Sequence, residues 1–159
     1  MRVIVFGGTG MVGQGVLREC RLAADVTEVL VIGRSPTGKV DPKLRELVRA
    51  DLLDYGDVED QLAPYDACFF CLGVSSVGMK EADYRRITYD LTMAAARPLA
   101  RLNPGMTFIL VVGRPLWPLL RKVAPNGVTD SEKIGRAMPR VAREGVPKPP
   151  LTNRDINAL

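Results

Sequence analysis

Glycines at positions 7, 10 and 13 follow directly on the five-residue run Arg2–Phe6 (RVIVF), and Val12, Val16 and Leu17 come next at helical spacing. The run is too short for a helix and apolar enough for a buried parallel strand. A strand, a glycine turn and a helix start in that order form a phosphate site, because unpaired backbone N–H groups and the positive end of the helix dipole converge on one point. In such a loop Gly7 makes the tight turn, Gly10 lets a pyrophosphate approach the backbone, and Gly13 lets the helix pack on the strand. A tight strand-to-helix turn without a ligand is the plainer alternative, and the position of the glycines between strand and helix argues against it.

Bulk properties narrow the class. The chain has 159 residues, of which 47% are hydrophobic, enough for the core of a single domain. Its formal net charge of +4 is spread along the sequence and reads as a solvated surface rather than a nucleic-acid footprint. Val3 to Phe6 is too short for the apolar region of a signal peptide, and no apolar run approaches the ~20 residues of a membrane span. The three cysteines fit a reducing, cytoplasmic setting. Cys68 and Cys71 form a C-x-x-C inside DACFFCLG. Residues three apart on a strand face opposite ways, so these thiols are expected to pack in the core and to hold neither a metal nor a disulfide.

Strand and helix signals alternate along the chain. A helix is expected over about 11–22 and a second strand over 28–32. A short helix is expected over 43–47 and a third strand over 48–52, closing at Asp51. A helical turn over 56–62 and a fourth strand over 66–72 follow. A long helix over 81–102 carries Tyr84, Ile87, Leu91, Ala94, Ala95 and Leu99 on one apolar face, with Pro98 expected to kink its last turn. Asn103-Pro104-Gly105 ends it, and a fifth strand is expected over 106–112. Asp130-Ser131-Glu132 opens a last helix ending at Gly145. Such alternation with right-handed crossovers predicts an α/β fold, a doubly wound parallel sheet in one domain.

In such sheets ligands lie off the carboxyl ends of the strands. The second strand ends Gly33-Arg34-Ser35. An acid there suits the 2′-hydroxyl of NAD, whereas an arginine with a neighbouring hydroxyl suits the 2′-phosphate of NADP. A surface arginine in a loop is the alternative. Asp51 is placed to meet the adenine amino group, and Gly73 lets backbone pass beneath the adenosine ribose.

VFGGTGMVGQGVL, VIGRS, ADLLD, FFCLGVSS and ITYDLTMAAAR together make the chain resemble an atypical, extended-type short-chain dehydrogenase/reductase of the NAD-dependent epimerase/dehydratase-like group. The resemblance covers about 1–112 and implies a Rossmann fold binding NADP(H) in preference to NAD(H). It implies cofactor contacts at Gly7, Thr9, Gly10, Met11, Val12, Gly13, Arg34, Ser35, Asp51, Leu52, Leu72 and Gly73. Ser75, Ser76 and Lys80, in the loop after the fourth strand, are candidate substrate residues, with ordinary loop polarity as the alternative.

The chain departs from that family where catalysis would be read. A serine normally follows the fifth strand, and a Tyr-x-x-x-Lys helix supplies the proton donor. Here Val112 stands in the serine's place, and no tyrosine has a lysine four residues on. Gly113 to Pro118, around Trp117, reads like a segment from nearer the family's C-terminus, and 113–159 reads as a C-terminal helical segment. The two flanks match the family separately and their junction does not, so an internal stretch is expected to be missing between them. Two functional classes follow: an oxidoreductase or epimerase-like enzyme, and a non-catalytic dinucleotide-binding regulatory or redox-sensing protein.

Overall fold

Unbroken apolar runs in three strands require cover on both faces of the sheet, and the fold supplies it. The computed structural model describes residues 1–73, 80–111 and 131–145. Ser75, Ser76, Val112, Trp117 and the tail after Gly145 lie outside the described residues. The elements in chain order are β1 (Arg2–Phe6), α1 (Met11–Leu22), β2 (Glu28–Gly33), β3 (Leu44–Val48), a 3-10 helix (Gly56–Gln61), β4 (Ala67–Phe70), α2 (Glu81–Leu102), β5 (Thr107–Leu110) and α3 (Ser131–Glu144). All strand pairs are parallel, in the order β3-β2-β1-β4-β5. The chain moves outward from β1 to β3 and then crosses to β4 on β1's other side. The β1–β4 boundary is therefore the topological switch point, where a crevice opens at the carboxyl edge.

Alternate side chains of each central strand enter separate cores. Ile4, Phe6, Leu30, Ile32, Cys68 and Phe70 fill one, against Leu99 and Ala95 of α2 and against Val58. Val3, Val5, Val29, Val31, Ala67 and Phe69 fill the other, against Val16, Leu17 and Cys20 of α1 and Ile134 and Met138 of α3. Helices thus cover both faces, and the expected doubly wound sheet is what forms. Cys68 packs into the first core and Cys71 against the second, so the two thiols face opposite ways as their spacing requires.

α1 and α2 begin and end where the sequence pattern places them. Pro98 lies inside α2, which nonetheless runs on to Leu102; Pro98 has no N–H to offer the Ala94 carbonyl. Among the described helices none is long and apolar enough to cross a membrane.

The region around β3 differs from expectation. Residues 44–48 are strand, not helix, and 49–52 lie beyond the strand. Leu44 and Leu47 are three apart, a spacing that suits one helix face, yet Leu47 packs toward one core and Leu44 toward the other. Register settles the conflict: Leu44–Val48 pair in order with Val29–Gly33, and tertiary pairing overrides local propensity. The residues expected as strand form a loop clamped by Arg49. Its guanidinium donates to both Asp57 carboxylate oxygens at 2.8 and 2.9 Å and to the Asp54 carbonyl at 3.2 Å. Tyr55 meets the Phe6 ring edge-on at 6.0 Å.

At the amino edge, Glu28 accepts hydrogen bonds from Arg2 at 3.0 Å, Arg45 at 3.2 Å and the Tyr65 hydroxyl at 2.8 Å. Burial works against the Glu28 charge, but these donors and the Arg2 charge outweigh it and hold the carboxyl below its usual value. Burial and the same hydrogen bond push Tyr65 up to about 12. A depressed carboxyl stabilises the fold above its unfolded value, near 4.5, and that stabilisation is lost as pH falls through the lower folded value. Glu28→Gln is therefore expected to lower the urea midpoint at pH 7, with the gap to the native protein closing in acid. A gap of equal size at pH 7 and pH 3 would contradict this.

Candidate functional site

The carboxyl end of β1 turns into α1 within four residues. Gly7 has φ +74°, a conformation that glycine adopts without strain, and its N–H donates to the Ile32 carbonyl at 3.0 Å. A Cβ at Gly7 would stand 3.0–3.1 Å from the Cys71–Leu72 peptide, and one at Gly13 would overlap the Gly7 carbonyl oxygen outright. The loop is thus wedged between the end of β4 and the first turn of α1. A Cβ at Gly10 would meet only the Gly7 carbonyl oxygen, at 3.4 Å, leaving the outer side open.

α1 begins here without compensation. Gly10 is its N-cap and supplies no capping side chain, and the first turn carries no acid. The opening N–H groups of a helix have no intrahelical partner, and the positive end of the dipole lies here; Gly13 itself is buried against the Gly7 carbonyl. Thr9, Gly10 and Met11 are exposed and Val12 is half-buried. This uncapped helix start stands beside the switch point.

The other predicted cofactor residues follow the strand ends along the same edge. Arg34 and Ser35 come straight after β2 and are exposed. Asp51 lies three residues past β3 rather than at its end, exposed, accepting from the Leu53 N–H at 2.8 Å. Leu52 is 5% exposed and its side chain belongs to the same core as Phe6. Leu72 is half-buried and Gly73 exposed, with open space where a Cβ would stand. Lys80 is exposed at the N-cap of α2.

Sequence reasoning missed a groove of about 1140 Å³ running from the glycine loop along α1. It is lined by Gly8, Thr9, Met11, Gln14, Arg18, Thr37 and Lys39 among others, and Arg34, Asp51 and Gly73 stand outside it. Thr37 is drawn in by Glu46, which accepts from its N–H at 2.8 Å and from its hydroxyl. Arg2, Arg18, Arg21, Arg45, Arg49, Arg101 and Arg143 each hold a carboxylate. The Arg34 and Lys39 side chains have no such partner among the described residues. The Gly38-Lys39 pair in the loop after β2 was the available signal.

The acid–base inventory beside this edge is small among the described residues. Burial pushes Cys20 and Cys71 up to about 12 and Cys68 well above its ordinary value, so these thiols stay protonated at neutral pH. Tyr84 is half-buried on α2 and Tyr89 is 60% exposed. No group of three His, Cys, Asp or Glu residues that could hold a metal occurs among the described residues.

Residues 3–104 match the model of the NAD dependent epimerase/dehydratase family. Leucinostatins biosynthesis cluster protein T of Purpureocillium lilacinum is 25% identical over 111 residues, 68% of this chain and 41% of that protein. Among solved structures, the oxidoreductase ylbE from Lactococcus lactis superposes with a TM-score of 0.54 at 15% identity, over 90% of this chain and 61% of the other. A short chain dehydrogenase family protein from Francisella tularensis gives 0.51 at 15% identity, over 86% and 58%. At such identities the structural likeness is one of fold. The chain spans about two-fifths of the length of the curated relative.

The two glycines should differ sharply on substitution. Gly13→Ala must displace the Gly7 carbonyl, and the overlap is expected to outweigh the roughly 1 kcal/mol alanine ordinarily adds in a helix, for a net loss of about 1–3 kcal/mol. Gly10→Ala has room, and should cost at most about 1 kcal/mol, the N-cap preference for glycine. Urea midpoints of the two variants check this; equal losses would refute it.

Proposed function

We propose, from the premise that the chain belongs to the NAD dependent epimerase/dehydratase family, that it binds a nicotinamide dinucleotide at the carboxyl edge of the sheet, prefers NADP(H) to NAD(H), and serves an oxidoreductase or epimerase-like reaction of the short-chain dehydrogenase/reductase type. The observation that carries dinucleotide binding is the uncapped start of α1 over a loop too tight for side chains at Gly7 and Gly13. The pyrophosphate would lie on the N–H groups of Met11, Val12 and Gly13. The adenosine would run across Arg34 and Ser35 toward Asp51 and the Leu52 backbone, with Leu72 and Gly73 beneath its ribose. The nicotinamide would supply hydride chemistry, and the protein's part is to bind and orient it.

Preference for NADP(H) is supported by the two unpartnered cations in the loop after β2, Arg34 and Lys39. An arginine fork matches a phosphate, and Lys39, in the groove along α1, adds positive charge to the same loop. Ser75, Ser76 and Lys80 are proposed to face the substrate. A second reading, a dinucleotide-binding protein without turnover, is favoured by one observation: no tyrosine in this sequence has a lysine four residues on.

Charge-assisted bonds from Arg34 should contribute ~1.5–3 kcal/mol. Arg34→Ala is accordingly expected to weaken NADPH binding roughly ten- to a hundredfold and leave NADH nearly unchanged in calorimetry; equal losses for both would refute the assignment. NADPH consumption with carbonyls, quinones and nucleotide sugars separates the two functional readings. Turnover at ordinary enzyme rates, ~1–1,000 per second, would exclude the non-catalytic one, and the expected outcome for this 159-residue chain is binding with very slow reduction of common ketones.

A further inference from the structure

α1 and α3 lie side by side at close backbone distance. Ile134, Ala137, Met138 and Val141 recur at helical spacing on α3 and are all buried, and Ile134 and Met138 join Val16, Leu17 and Cys20 of α1 in one core. The helices touch backbone to backbone: a Cβ at Gly135 would stand 2.8 Å from the Gly15 carbonyl carbon and oxygen and 3.1 Å from the Val16 nitrogen. Near the other end, the Arg143 guanidinium donates to both Asp25 carboxylate oxygens at 2.6 and 2.8 Å. Gly135 lies early in α3 and Gly15 early in α1, whereas Arg143 lies late in α3 and Asp25 three residues past the end of α1, so the two helices run in the same direction. The closest contact therefore bears on α1 little more than one turn from its uncapped start.

We propose that α3 fixes the position of the anion-facing end of α1, with Gly135 as a positioning residue for dinucleotide binding; this rests on the dinucleotide reading above. Gly15 sits on the turn directly behind the N–H groups of Met11, Val12 and Gly13. Those groups reach a pyrophosphate only at hydrogen-bond distance, and a displacement of α1 by tenths of an ångström lengthens every one of those bonds. A methyl at Gly135 has backbone in front of it and no flexible side chain to move aside, so α1 and α3 must separate to admit it.

The test compares Gly135→Ala with Val141→Ala, which removes buried side chain from the same face of α3 without pressing on Gly15. Titration with NADPH, with NADH and with adenosine 2′-monophosphate, which has no pyrophosphate, is read alongside thermal unfolding. Gly135→Ala should weaken both dinucleotides by a common factor, roughly tenfold, and leave adenosine 2′-monophosphate unchanged. Val141→Ala should lower the unfolding temperature and keep native dinucleotide affinity. If Gly135→Ala does not fold, Arg143→Ala, which releases the far end of α3, should weaken both dinucleotides in the same pattern by a smaller factor. Unchanged dinucleotide affinity in the folded variants, or equal losses in Gly135→Ala and Val141→Ala, would overturn the positioning role alone. A native chain that binds neither dinucleotide would overturn the reading beneath it.

Discussion

The carboxyl edge of the sheet depends on one backbone contact, the approach of α1's first turn to the Gly7 carbonyl across Gly13. No side chain fits there, so helix and strand meet at the distance their backbones allow. That closeness drives the α1 N-terminus down onto the end of β1, and Gly7, turned at φ +74°, brings the same loop against the end of β4. The switch point of the sheet and the positive end of the helix coincide as a result. A side chain at either position would part them.

Around that point the molecule divides its work between two edges. The amino edge is held by side chains, with Glu28 gathering Arg2, Arg45 and Tyr65. The carboxyl edge is held largely by backbone. The sheet between them separates two cores, one closed by α2 and the other by α1 with α3. An element distant in sequence, α3, thereby stands behind the helix whose uncapped start lies at the carboxyl edge.

Much of this was legible because it is local. β1, the glycine turn and α1 are consecutive, and each residue's reason lies within a few positions of it. The bounds of α2 followed from an apolar stripe, a start after a loop and a stop at Asn103-Pro104-Gly105. Leu44 and Leu47 have the spacing of one helix face, and only pairing with β2 makes the segment a strand that sends them into separate cores. Moving β3 back left Asp51 in a loop and put Leu52 into the core. Gly135 reads in sequence as a weak point in a helix; its meaning depends on Gly15, far away in the chain. Lys39 was passed over since nothing local shows that the loop after β2 folds back toward Gly8, where Thr37 lies within van der Waals reach of a Cβ.

The pairing of arginines with carboxylates has a consequence for how ligands arrive. The chain carries a formal charge of +4, and among the described residues several arginines are paired with a carboxylate a few ångströms away. Among the described residues Arg34 and Lys39 have no such partner, and the helix dipole of α1 has its positive end at the glycine loop. These two side chains and the helix end place positive charge beside the glycine loop and the end of β2. Exposed positive charge of this kind attracts an anion that passes close by, and the attraction weakens as salt screens it over about 10 Å at 0.1 M.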